Sequence, residues 1–420
     1  MSKSANINPG ILVWAREHAG LTVTDAAHQL GFKDSEKKTA ADKLAEFETG
    51  EKRPTYPQLE KLAKLYRRPL ITFYMTKPPA PALTGEDFRR PTAEVTRRDN
   101  AILETLVRDV RARQELIKDI LEDDPDYRAV HIVGSASMQE GVSAFVDKIA
   151  HVLHFDPSAP RTRRGNGSNS DELFRTLRGS TEAAGVFVML AGDLGSHHSA
   201  VSTEVFRGFA LSDDLAPFVV INDQDSKAGQ SFTLIHELAH ILMGQSGVSG
   251  PPDTEDVANK HDVIERFCND VAGYFLLPDA ALPNRPEANA DIDSVRNMIA
   301  GTAELWSVSE SMVAYRWRRL GWISPHVYAA LLAGYRARWL AYREQRRAER
   351  SPDSNGPSYY VVRQSKLGNA LLGVVYRSLY DNALSHTKAA KVLGVSLGSV
   401  EPLLRQFEKT RLASFAAGRS

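Results

Sequence analysis

Cysteine is nearly absent: Cys268 is the only one in 420 residues. An intrachain disulfide framework is therefore excluded, and a reducing compartment is the expected setting. Neither sign of charge is in excess. Lys and Arg number 52 and Asp and Glu 52, so any attraction to nucleic acid must be local. Long apolar runs are missing too. The longest, such as Phe187 to Ala191, are strand-sized and far short of the ~20 residues that a membrane span needs. The opening MSKSANINPG has no apolar core and no small-residue cleavage site, so no secretory signal is read there. No Ser or Cys nucleophile motif and no phosphate-binding glycine loop is found. These absences predict a cytoplasmic protein. Its 42% hydrophobic and 25% charged residues are ordinary for a globular chain, and its length allows roughly two to four domains.

What is present divides along the chain. Residues 1–78 read as a compact helical unit. Pro9 opens a first helix through Ala19, and Gly20 ends it. Thr24 caps a second over Asp25–Leu30, before Gly31. A third spans Thr39–Glu48 and stops at Gly50. A fourth, Tyr56–Tyr66, sets Leu59, Leu62, Ala63 and Tyr66 on one face. Pro78-Pro79-Ala80-Pro81 then breaks the pattern. A long helix is predicted at Arg97–Glu122 and another over 138–154, followed by a polar loop from Asp156 to Ser170. Buried strands are expected at Gly185–Leu190, Val205–Leu211 and Pro217–Asn222, with helices at Ser231–Leu242 and Asp262–Leu277, the latter ended by Pro278. Strand pieces followed by two helices make an α+β domain. A second polar linker, SPDSNGP at 351–357, precedes a helical tail, and no internal repeat is seen.

The chemistry concentrates at HELAH, 236–240. Histidines four apart lie one above the other on a helix, so His236 and His240 can reach one ion. Glu237 follows the first ligand and can act as general base and then general acid. Zinc lowers the pKa of a bound water to about 7, which makes hydroxide available at neutral pH. A catalytic zinc takes three protein ligands, and the helix IERFCNDVAGYFLLP (264–278) offers Glu265, 25 residues after His240. Asn269, one turn later, can support the site. His261, Asp262 and Asp270 are weaker candidates for the ligand. A chance His-Glu-x-x-His has odds on the order of a few per cent in such a chain. Leu234, Ile235, Leu238, Ala239, Ile241 and Leu242 also make the helix a buried one, where unpartnered polar groups would be costly.

At these residues the chain resembles the ImmA/IrrE family of metallopeptidases. GFALSDDLAPFVVINDQDSKAGQSFTLIHELAHILMG (208–244) looks like the family's strand, loop and active-site helix, with Asn222 ending the strand and Phe232-Thr233-Leu234 before the motif. Glu265, Cys268, Asn269, Ala272 and Leu276-Leu277-Pro278 resemble its third-ligand helix. PLITFYMTKPP with EDFRR (69–90) resembles the bridge found where this peptidase is fused to an XRE-type helix-turn-helix. Gln230 departs from the pattern, because related sequences often place arginine before Phe-Thr. The resemblance implies a zincin-like peptidase domain, zinc as cofactor, and a protein substrate such as a DNA-binding repressor cut at one site.

Residues 9–66 resemble the XRE helix-turn-helix, most clearly in EFETGEKRPTYPQLEKLAKLY. The third helix would enter the major groove of duplex DNA, with Lys37, Lys38, Lys43, Lys52 and Arg53 meeting phosphates. Residues 1–78 hold 13 Lys or Arg against 9 Asp or Glu, a weak footprint, and a protein-interaction module is the competing reading. His197 and His198 read as an exposed turn or a loop over the site, and Cys268 as a core residue. The arginines from Arg336 to Arg350 read as a solvated helix face. SHTKAAKVLGVSLGSVEPLL (385–404) has the spacing of either a second helix-turn-helix or a dimerising helical pair.

The expected fold class is multidomain and mainly α. It comprises an all-α helix-turn-helix domain (1–78), a linker and long helix (79–137), an α+β peptidase domain (138–350) and a helical C-terminal domain (351–420). The expected function is a zinc endopeptidase fused to a DNA-binding domain, regulating transcription, stress responses or mobile elements. The alternative is a regulator or antitoxin whose peptidase-like domain senses or binds a partner, such as a toxin. A homodimer is compatible with either.

Overall fold

The computed structural model describes residues 4–79, 86–87, 96–159, 161, 169–194, 199–250, 260–287, 290–348 and 357–417. His197, His198 and residues 351–356 of the second linker lie outside them. The protein is multidomain and mainly α, and its contacts form two compact units. One comprises Met1–Thr84, Pro91–Val110 and Asp193–Val205; the other comprises Gly85–Arg90, Arg111–Gly192 and Phe206–Ser420.

The first unit contains α1 (Pro9–His18), α2 (Val23–Gln29), α3 (Ala40–Glu48), α4 (Tyr56–Tyr66) and the first part of α5 (Arg97–Glu122). The second helix starts two residues earlier than expected. Thr22, not Thr24, is its cap, because the Thr22 hydroxyl accepts from the Asp25 amide. At α3, Thr39 and Asp42 form a reciprocal capping box. Ile11, Leu12, Ala26, Leu44, Leu59 and Phe73 are among the buried side chains at the centre. Arg16 and Glu48 join α1 to the end of α3 through two hydrogen bonds of 2.7 and 3.1 Å.

In the second unit, strands β1 (Glu86–Asp87), β2 (Phe187–Leu190), β3 (Gly208–Leu211), β4 (Phe218–Ile221) and β5 (Gly247–Ser249) form one sheet in the order β1-β5-β3-β4-β2. β3 is antiparallel to both β4 and β5, whereas β2 runs parallel to β4 and β1 to β5. Two-residue β1 and three-residue β5 are too short to announce themselves by alternation in the sequence.

The helices α6 (Gly141–Leu153), α7 (Asn169–Ala183), α8 (Lys227–Leu242), α9 (Lys260–Leu276), α10 (Ile292–Trp306), α11 (Glu310–Arg319) and α12 (Pro325–Ala348) complete the core. α8 begins one turn before the predicted segment, at Ser226, whose hydroxyl accepts from the Gly229 amide. Every residue from Gly229 to Leu242 is buried. Full burial of a Leu, Ile or Phe side chain stabilises by about 1.5–3 kcal/mol, so α8 is the anchor of this unit. Gln230, the departure from the family pattern, donates to the Asp225 carbonyl and accepts from Lys227. It thereby closes the turn that starts the helix.

Four further helices follow: α13 (Tyr359–Leu367), α14 (Asn369–Tyr380), α15 (His386–Leu393) and α16 (Val400–Ala417). They are tied to the sheet and α7. Glu182 accepts from the first amides of α14 and is bonded to Arg178, and Lys366 meets Asp223 at 2.8 Å.

Candidate metal centre

Helix α8 packs against β3 and β4 on one side and against α9 on another, and the two helices bring three donor groups together. The Nε2 atoms of His236 and His240 are 3.2 Å apart. Glu265 presents Oε1 at 3.0 Å to His240 and Oε2 at 3.4 Å to His236. Donors on a tetrahedral ion with arms of about 2.0–2.1 Å stand about 3.3 Å apart, so these atoms are spaced as three corners of such a shell. His236, Glu237 and His240 are buried, and neither carboxylate oxygen of Glu237 makes a hydrogen bond of normal geometry, the Ser249 hydroxyl easing its charge only weakly. An unpartnered buried carboxylate costs several kcal/mol in a metal-free protein. A cation beside it removes most of that cost. The residues therefore fit a metal.

Electrostatics separates the two carboxylates. Burial raises the pKa of Glu265, but the facing His236 and His240 overcome it and pull the group down to about 2. Burial also dominates at Glu237, and there the same imidazoles only partly oppose it, so its pKa is pushed up to about 7. Burial disfavours the charged form of His236, but Glu265 more than offsets this and the pKa rises. Glu265 is thus set as a charged donor and Glu237 as a group able to exchange a proton near neutrality.

The sheet supplies two small residues over the helix. Gly208 of β3 and Ser249 of β5 are register partners. A Cβ on Gly208 would stand 2.5 Å from Thr233 Cγ2 and 2.9 Å from Glu237 Oε1, so only glycine allows this strand to pass Glu237. Ser249 places Oγ 3.1 Å from His236 Nε2 and 3.4 Å from Glu265 Oε1. Partners of ligating groups typically contribute 10- to 100-fold in metal affinity. Ser249→Ala is accordingly expected to weaken zinc binding by about that factor, read by competition with a chromogenic chelator; unchanged affinity would remove Ser249 from the site.

Of the weaker ligand candidates, Asp270 is committed elsewhere: it accepts from Tyr315 and takes two hydrogen bonds from Arg319. Cys268, expected as a core residue, is fully buried, yet its sulfur lies within 4.8 Å of ring nitrogens of both His236 and His240. Burial first, then the charges of Glu265 and Glu237, push its thiol well up. Glu265 brings its two oxygens to 3.0 and 3.4 Å from the two rings, the spacing of a shared shell, and this geometry favours Glu265 as third donor. Ser249 was not foreseen, since nothing in GVSGPP marks a donor.

The five basic residues proposed for DNA contact all lie in the first unit. Lys38 and Lys52 both pair with buried Glu46, and Lys43 reaches the Lys33 carbonyl. Lys37 and Arg53 are exposed.

Comparison with known families agrees with this division. Residues 182–318 match the peptidase M78 model described as an IrrE N-terminal-like domain, and residues 12–70 match a helix-turn-helix domain. The class is thus a peptidase-family domain joined to a helix-turn-helix. The chain has the make-up of an ImmA/IrrE helix-turn-helix fusion. Comparison with curated proteins and with solved structures finds no match. Among the described residues, no helix is long and apolar enough to cross a membrane.

Proposed function

We propose that the protein is a zinc-dependent endopeptidase coupled to a DNA-binding domain, and that it regulates gene expression by cutting a protein partner such as a repressor. The observation that carries this reading is the triangle of His236, His240 and Glu265 donors at 3.0–3.4 Å, with the buried carboxylate of Glu237 beside it. Bound zinc would supply Lewis acidity and a water of lowered pKa. Glu237 takes a proton from the attacking water and returns it to the leaving amine. Ser249 orients Glu265, and the buried walls of α8 and α9 exclude bulk water, which strengthens these interactions.

The domain limits given by the sequence (1–78, 79–137, 138–350 and 351–420) remain our working division. In the N-terminal domain, the exposed Lys37 and Arg53 are the foremost phosphate contacts, followed by Lys43 on α3. Lys38 and Lys52 contribute mainly through Glu46.

The test compares cells making the wild-type chain with cells making Glu237→Gln, by labelling protein N-termini across the proteome. A new terminus inside a DNA-binding protein is expected only with the wild type. Identical termini in both would leave the partner-sensing or antitoxin reading in its place.

A further inference from the structure

Two distant stretches of the chain repeat one local pattern. Thr22 caps α2 by accepting from the amide three residues on, and Ser385 caps α15 in the same way. Ala26-Ala27 and Ala389-Ala390 occupy the same two positions after their caps, and all four are buried. Leu30 and Leu393 follow at matching places. Next come Gly31 and Gly394, both left-handed with φ of 79° and 60°, and then the apolar Phe32 and Val395. The first stretch lies inside the matched helix-turn-helix domain. The pattern T-x-A-A-x-x-L-G-apolar is too short to register as a domain repeat, but it sets the same helix and turn twice.

The second copy continues more directly. After Gly394, Val395 and Ser396, the chain enters a 3₁₀ turn (Leu397–Ser399) that runs straight into α16. Two helices joined by a short glycine-containing turn are the plan of helix-turn-helix readers. Leu372, Val375, Val392, Leu393, Val400 and Leu403 pack the inner faces of α14, α15 and α16. The turn is held by Arg113, which donates to the Val392 carbonyl, and by Arg363, which donates to those of Leu393 and Gly394.

Charge then identifies the occupant of the outer face. Residues 358–417 hold eight Lys or Arg against three Asp or Glu, a larger excess than that of residues 1–78 in a shorter stretch. Lys388 and Lys391 on α15, and Arg405, Lys409 and Arg411 on α16, are exposed. The two acids on α16 are engaged: Glu401 lies 3.1 Å from His386, and Glu408 accepts from the Tyr376 hydroxyl. We infer that α14–α16 form a second helix-turn-helix that binds duplex DNA, with α16 in the major groove and Lys388, Lys391, Arg405 and Lys409 on the phosphates.

The test is fluorescence anisotropy of the full chain with a mixed-sequence duplex at about 50 and about 200 mM salt. The background carries Lys37→Ala, Lys43→Ala and Arg53→Ala, so that the N-terminal domain contributes little. This chain is expected to keep a salt-dependent affinity. Adding Lys388→Ala, Lys391→Ala, Arg405→Ala and Lys409→Ala should remove it. Four phosphate contacts correspond to a log–log slope of about −3.6, a fall on the order of a hundredfold between the two salts. These side chains are exposed, so circular dichroism and the thermal midpoint should match the parent. Two results would overturn the inference: no binding by the background chain at low salt, or unchanged affinity and slope after the four replacements. Loss of a dimer in sedimentation with DNA binding unchanged would overturn it too, and would make this face a contact between copies.

Discussion

Glu237→Gln is expected to leave the metal in place and to slow proteolysis by about a hundred- to ten-thousand-fold, the usual worth of a positioned general base. The replacement keeps the size and shape of the side chain but cannot take a proton. Glu237 stands outside the donor triangle, so bound zinc measured by elemental analysis should equal that of the wild type. Stability provides a second reading. In the metal-free chain the substitution removes a buried carboxylate that makes no hydrogen bond of normal geometry, so the thermal midpoint should not fall. Wild-type cleavage of the natural partner by Glu237→Gln would show that the residue has no proton-transfer role. Loss of metal together with activity would instead make it part of the metal's support.

How much of this was legible beforehand differs between the site and its frame. His236, Glu237 and His240 could be read because helical periodicity alone puts positions four apart on one face. Glu265 could be proposed because a second apolar-faced helix follows at a workable distance, with Asp262 as its early rival. α4 and α5 matched their predicted limits at both ends, since long periodic segments carry their own signal. Residues whose role depends on sheet pairing were not legible. Gly208 and Ser249 matter because β3 and β5 place them side by side over α8. That juxtaposition is set by chain segments 41 residues apart and by a strand only three residues long. The caps at Thr22 and Ser226 were missed for a simpler reason. Several Ser and Thr residues precede each helix, and only packing decides which one turns its hydroxyl inward. The basic residues show a further dependence on folding: Lys38 and Lys52 each pair with Glu46 while staying about half exposed, and charge counting along the chain does not reveal that pairing.

His236→Ala and His240→Ala should each abolish stoichiometric zinc, taken as about one ion per chain in the wild type. Glu265→Ala should weaken binding strongly, because it removes an ionised donor that meets both imidazoles. Cys268→Ala is the discriminating control. If Glu265 is the third ligand, the thiol is a neutral neighbour held protonated by burial and by two nearby carboxylates, and its loss should leave affinity within about threefold of wild type. If the sulfur is the ligand, the order reverses: Cys268→Ala loses the metal and Glu265→Ala retains it. Cobalt substitution separates the cases without any activity measurement. A thiolate ligand gives an intense sulfur-to-cobalt charge-transfer band in the near ultraviolet, whereas a site of two imidazoles and a carboxylate lacks it. The expected spectrum has no such band in the wild type or in Cys268→Ala. A band in the wild type that disappears in Cys268→Ala would assign the third position to the thiolate. Equal metal in wild type and His236→Ala would remove the metal centre altogether.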